Sequence, residues 1–208
     1  MTTTPSLPES HPVDPGRRPT GFTQEHLDWV PWLDPIPLDE LTGEQRAALT
    51  RDRLPLPYFR LLVRVPQALA ERTAADNAIF YGRGGLPRAE RELAATVTSR
   101  LNGCVYCASV HAHRASQLSK RTDDVQRLLD EGVSVRLDER WNAIIDFAAA
   151  LSANPPRATA DHVTRLREAG LSDAEISDVV HASAFFSWAN RLMLTLGEPE
   201  VPADDSGA

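Results

Sequence analysis

Apolar residues recur at helical spacing along most of this 208-residue chain, and no stretch alternates convincingly as a strand would. Thr42 with Gln45 three residues on makes a capping box, predicting a helix to about Arg51. A short helix is expected over residues 57–63. Pro66 suits a first helical turn and opens a helix to about Tyr81, which Gly82, Gly84 and Gly85 end. The next runs over 87–101, with Leu93, Val97 and Leu101 as its buried stripe. Asn102-Gly103 breaks it, ahead of a helix over 104–120. Further helices are expected over 122–131, over 138–153 with Asp138 as cap, and over 160–169. Ser172-Asp173-Ala174-Glu175 is a full capping box before an unusually apolar helix to Leu196, closed by Gly197. The fold class predicted is all-α.

The ends read differently. Residues 1–21 hold five of the sixteen prolines and no apolar period, so a flexible tail is expected. Residues 22–41 carry Trp29, Trp32, Leu33 and Ile36 among three prolines. That stretch is too apolar to be solvated and too proline-rich for a long helix. It is expected to be an extended arm on the body or on a neighbouring subunit. One helical domain is expected over 22–197, and a flexible tail over 198–208.

Composition narrows the function classes. The apolar share of 42% and charged share of 25% are those of an ordinary globular protein. No apolar run has the length of a membrane span, and the first residues lack the apolar core of a secretory signal. A formal charge of −7 argues against a nucleic-acid partner. A cytoplasmic location and no membrane partner are expected. Two cysteines three residues apart close too small a loop to staple a fold, so the pair reads as catalytic or metal-binding.

That pair is Cys104 and Cys107 in the segment C-V-Y-C. His111 follows Cys107 by four residues, and Glu92 precedes Cys104 by twelve. On a helix, Cys104, Cys107 and His111 fall within roughly a 60° arc. A helix N-terminus favours the thiolate through its unpaired N–H groups and dipole. His111 is placed to take or relay a proton from Cys107, with Glu92 to orient the imidazole. Once one cysteine is oxidised to sulfenic acid, the other condenses with it. Cys104, nearer the helix mouth, is expected to be the more exposed thiol. Tyr106 is a core aromatic, a donor to the site, or both.

Competing readings exist. Zinc could draw on Cys104, Cys107, His111 and His113, but structural zinc takes ligands from separate elements, and His113 is turned roughly 200° from His111. Haem attachment needs a histidine directly after Cys107, where Ala108 stands. His11, His26 and His162 read as tail or surface residues, and His181 as a core or interface histidine.

The spacing of Glu92, Cys104, Cys107 and His111 resembles the alkyl hydroperoxidase D family, a branch of the carboxymuconolactone decarboxylase-like superfamily. The surrounding LPRAERELAATVTSRLNGCVYC and GLSDAEISDVVHASAFFSWANRL look most like an uncharacterised peroxidase-related subgroup. The resemblance covers about residues 22–197. It implies an oligomeric all-helical bundle, trimer or hexamer, that reduces organic hydroperoxides without cofactor or metal and is re-reduced by a dithiol protein. It further implies that Cys107 is the peroxidatic thiol, Cys104 its disulfide partner, and Glu92 with His111 the proton relay. The best-known members have a second histidine before the second cysteine; Tyr106 stands there, and a phenol with a pKa near 10 is no neutral-pH base. Two alternatives remain: a decarboxylase or isomerase of a small carboxylic acid on the same fold, and a redox-sensing or zinc-binding oligomeric module.

Overall fold

The computed structural model describes residues 13–203. Nine helices occur among them: α1 Gly43–Ala48, α2 Pro57–Leu62, α3 Pro66–Tyr81, α4 Arg88–Asn102, α5 Val105–Ser119, α6 Thr122–Glu131, α7 Glu139–Ser152, α8 Ala160–Glu168 and α9 Asp173–Leu196. The starts of α1, α7 and α9 follow the capping chemistry of the sequence. Thr42 and Gln45 bond reciprocally at 3.0 and 3.2 Å, Asp138 accepts from the Trp141 N–H at 3.1 Å, and Ser172 and Glu175 close the box before α9.

Helix α4 is the centre of the molecule. It packs against α5, α7 and α9, and every residue from Glu90 to Ser99 is buried. The expected stripe of Leu93, Val97 and Leu101 holds for the first two, whereas Leu101 is exposed where α4 emerges from the core. Ala94, Ala95, Thr96, Thr98 and Ser99 are small enough for neighbours to approach on all sides. Their hydroxyls are matched inside: Thr96 donates to the Glu92 carbonyl at 2.8 Å, and Thr98 meets Ser152 at 2.9 Å. Gly103, at φ 78°, then reverses the chain into α5, a left-handed conformation that a side chain disfavours.

Two corrections concern the ends. The expectation of no strand is overturned by a short antiparallel pair, β1 Asp28–Pro31 and β2 Gly197–Glu200, with Trp29 opposite Pro199. Each strand is four residues long and contains a proline, which a two-stranded edge tolerates and which hides any alternation. The arm thus lies on the chain's own body: Trp29 is buried and packs edge-on to Tyr58 at 5.6 Å. The flexible tails also shrink. Residues 1–12 and 204–208 lie outside the described residues, but Val13 is buried, Val201 bonds the Arg17 carbonyl at 2.8 Å, and Arg17 pairs with Glu200 at 3.0 Å. Among the described residues no helix is long and apolar enough to cross a membrane.

Candidate active site

The α4–α5 hairpin brings Glu92, Cys104, Cys107 and His111 together. Cys104 is the residue before the first turn of α5, and Cys107 lies within that turn. Both are free and buried, and their sulfurs are 2.6 Å apart, so a disulfide requires little movement. Glu92 is wholly enclosed and its Oε2 lies 2.5 Å from His111 Nδ1. That contact fixes the imidazole by one nitrogen and leaves Nε2 as the working atom. The Arg88 Nε donates to the other Glu92 oxygen at 3.2 Å. The His111 ring is wedged between Phe186, at 4.1 Å between centroids, and Phe80, at 5.5 Å.

Charge follows this arrangement. Burial alone would raise the Glu92 carboxyl, but His111 foremost, then Arg114 and Arg88, outweigh it and hold it below its ordinary value. At the sulfurs, the pair titrates as a unit. Hydrogen bonding from the Cys107 thiol pulls the Cys104 thiol down against its burial, helped by the Cys107 N–H and the Asn190 side chain. Burial, then the adjoining Cys104, pushes the Cys107 thiol well up. The first negative charge of the reduced pair therefore rests on Cys104.

A cavity of about 450 Å³ opens over this hairpin, and Cys107, His111 and Tyr106 line it. Cys104 does not. The expectation that Cys104 is the more exposed thiol is overturned: it is 2% exposed against 5% for Cys107, and of the two only Cys107 lines the cavity. Tyr106 is half-buried in the wall. Burial, reinforced by Cys107, raises its hydroxyl further from neutrality, so it forms wall rather than base. Trp29, Tyr58, Phe59, Tyr81 and Phe186 give the remaining wall its aromatic faces, set among the charged Asp28, Arg53, Arg72, Asp76 and Arg114.

Other histidines stand aside. His113 is exposed and bonded to Gln117 at 2.8 Å. His26 is exposed beside Asp28 at the cavity mouth, and His162 helps cap α8. His181 is exposed on α9, not a core residue. Among the described residues no group of three or more His, Cys, Asp or Glu side chains could hold a metal ion.

Three residues of the site were not singled out by sequence. Arg72 and Tyr58 line the cavity, and the Tyr58 hydroxyl and Arg72 Nε are buried without a partner among the described residues. Asn190 is fully buried behind the sulfurs. The sequence carried a trace of two of them: Arg72 falls three residues after Leu69 on the buried side of α3, and Asn190 interrupts the apolar run of Phe186, Ala189 and Met193 on α9.

The model of the carboxymuconolactone decarboxylase family matches residues 66–150. No curated protein matches the sequence. Among solved structures, the chain is similar to an uncharacterised peroxidase-related protein with an alkylhydroperoxidase AhpD core from Ralstonia eutropha JMP134. The TM-score is 0.67 at 24% identity, covering 78% of this chain and 88% of that one. A peroxidase-related protein from Silicibacter sp. TM1040 gives a TM-score of 0.64 at 26% identity, covering 80% and 87%. The debrominase Bmp8, in complex with 2,3,4-tribromopyrrole, gives 0.63 at 17% identity over 78% and 87%, a likeness of fold. The family match across α3 to α7 and the helical architecture shared with these structures agree in supporting an AhpD-like, carboxymuconolactone decarboxylase-like assignment.

Proposed function

We propose that this protein is a dithiol oxidoreductase that reduces organic hydroperoxides. The observation that carries the reading is the placement of Cys107 at an aromatic cavity, with the Cys104 sulfur 2.6 Å behind it and the Glu92–His111 pair alongside. The Cys107 proton passes to the charged Cys104 sulfur, and Cys107 attacks the terminal oxygen of the hydroperoxide. An S–O bond forms, the O–O bond breaks, and the electron pair leaves on the alkoxide oxygen. The proton held by the Glu92–His111 pair moves to that oxygen and releases the alcohol. His111 then recovers a proton from Cys104, which attacks the Cys107 sulfenic acid. The S–S bond forms and hydroxide leaves with that proton as water. Two electrons and two protons are consumed, and a dithiol protein restores both.

Intact mass of the reduced protein after one equivalent of cumene hydroperoxide tests this. Rapid loss of two mass units supports it; an unchanged mass with hydroperoxide left over rejects it. A second reading has one observation behind it, the aromatic wall. It would equally hold a halogenated ring, the kind of compound in the debrominase complex, whose reductive removal of bromide also uses two electrons. Bromide release from 2,3,4-tribromopyrrole in place of hydroperoxide turnover would favour it.

The same proposal includes a homo-oligomer. Trp29 is spent in the chain's own core, so the arm's share falls to Trp32, which is 43% exposed; on α9, Trp188 is 45% exposed. Light scattering at micromolar concentration should report a multimer, and a monodisperse monomer would dismiss this part.

A further inference from the structure

We propose that the cavity over Cys107 takes an organic anion, with Arg72 and Tyr58 holding its carboxylate while a hydroperoxide group on the same molecule meets Cys107. The reacting end rests on the hydroperoxide reading; the anion end rests on the cavity wall alone.

The polar groups on that wall are unevenly spent. Arg53, Arg72 and Arg114 line the cavity, and Asp28, Asp52 and Asp76 are the acids among them. Asp28 and Asp52 are exposed, and Asp76 is shared: its Oδ2 accepts from Arg53 Nη2 at 2.5 Å and from Arg72 Nη1 at 3.2 Å. One carboxylate between two guanidiniums leaves a positive charge. Arg114, from α5, makes no ion pair among the described residues. The part of the wall away from solvent is therefore cationic.

Arg72 is 9% and Tyr58 7% exposed, yet neither has its hydrogen bonds filled. Arg72 Nε and the Tyr58 hydroxyl are buried without a partner among the described residues. Arg72 Nη2 makes no bond either and, unlike Nε, is not closed off. A buried donor left unpaired is costly, more so on a charged group, so two in one wall mark a place for an acceptor. Neither side chain is free to turn away. The guanidinium is tied to Asp76 and lies over the rings of Phe59, at 5.3 Å, and Phe185, at 5.2 Å. The Tyr58 ring packs edge-on to Phe59 at 5.1 Å, so one aromatic ring holds both donors in the same corner. Burial pushes the Tyr58 phenol well up against the pull of Arg72, so it stays an O–H donor, and no hydrogen bond of ordinary geometry joins the two.

A charged N–H donor and a neutral O–H donor beside each other suit the two oxygens of a carboxylate. The aromatic faces and a volume of about 450 Å³ suit one ring-sized body attached to it.

Isothermal titration calorimetry of the reduced protein tests the site with two unreactive ligands, 4-isopropylbenzoate and its neutral amide, 4-isopropylbenzamide. The carboxylate should bind wild type at least about tenfold more tightly than the amide, and Arg72→Met should erase that difference. Tyr58→Phe should weaken carboxylate binding severalfold and keep the unfolding midpoint, because its hydroxyl has no partner to lose. No binding of the carboxylate, equal binding of the two ligands, or a preference that survives Arg72→Met overturns the proposal. If Arg72→Met does not fold, Tyr58→Phe decides, and undiminished carboxylate binding by that variant overturns it. A kinetic arm keeps the chemistry apart: the reduced protein should consume 4-carboxycumene hydroperoxide about tenfold faster than cumene hydroperoxide in a single turnover under second-order conditions. If the carboxylate binds as expected and neither hydroperoxide is consumed, the hydroperoxide reading fails and the anion site stands. If both are consumed at equal rates, the anion site fails and the hydroperoxide reading stands.

Discussion

The two sides of the cysteine pair are built differently. On the cavity side stand Cys107, the His111 imidazole and an aromatic wall, with one buried carboxylate steering the imidazole. Behind stand Cys104, Asn190, Ser99 and Asn102, a neutral cage of hydrogen bonds closed by α9. The sulfur with the lowered pKa is the enclosed one, and the sulfur that meets the cavity holds its proton more tightly. Access and acidity are thus assigned to different cysteines. The division suits a two-step reaction, in which the front sulfur needs a proton acceptor and a path to substrate. The rear one takes the front sulfur's proton, waits at bonding distance and gives that proton up before it attacks.

The largest effect expected from breaking this division is at the front sulfur. Cys107→Ser should consume no hydroperoxide in a single turnover, measured as peroxide remaining after one equivalent is mixed with reduced protein. His111→Ala comes next. It removes the proton carrier but neither sulfur, so thiol oxidation in stopped flow should slow by roughly 10²–10⁴-fold, with circular dichroism unchanged. An unaltered rate would leave His111 as a packing residue between Phe80 and Phe186.

Glu92→Gln sharpens the same side with a smaller effect. The imidazole remains but loses its anionic anchor, and the rate should fall roughly 10- to 10²-fold. The variant also has a pH signature. Because the folded Glu92 carboxyl sits below its ordinary value, its charge stabilises the fold above about pH 4.5, and that contribution is lost as pH falls through the depressed value. Glutamine takes up no such proton, so thermal unfolding of the variant should lose less stability than wild type over that acid range. Equal acid slopes would place the stabilising charge elsewhere.

The smallest effect belongs to the hinge that joins the two sides. An added Cβ at Gly103 meets nothing within 4 Å, so Gly103→Ala should cost only the left-handed backbone, about 1–2 kcal/mol in denaturant unfolding. The turnover rate should be nearly kept if the turn merely holds α4 and α5 in register.

Much of the front side was legible in the sequence, because helical spacing alone puts Cys107 and His111 on one face, while Glu92, on the preceding helix, was reached through its spacing to the cysteines. Helix starts were legible for a similar reason: the caps at Thr42, Asp138 and Ser172 are local chemistry. The rear side was not. Its shape depends on α9 meeting the end of α4 some ninety residues earlier, through the Asn190 bonds to Asn102 and Ser99, and a position near a helix N-terminus suggested openness for Cys104, which is buried. The β1–β2 pair was hidden likewise, since Asp28–Pro31 finds its partner at the far end of the chain. Tyr58 and Arg72 stand on different helices, α2 and α3, and only the folded cavity joins them.

The most direct measurement is the location of the sulfenic acid. Reduced Cys104→Ser protein, treated with cumene hydroperoxide and trapped with dimedone, should carry the adduct on Cys107, since the front sulfur attacks and no partner remains to resolve it. Cys107→Ser protein under the same conditions should carry none. An adduct on Cys104 in the Cys107→Ser protein, formed as fast as the wild-type reaction, would contradict the assignment of the cavity-facing sulfur as the one that attacks.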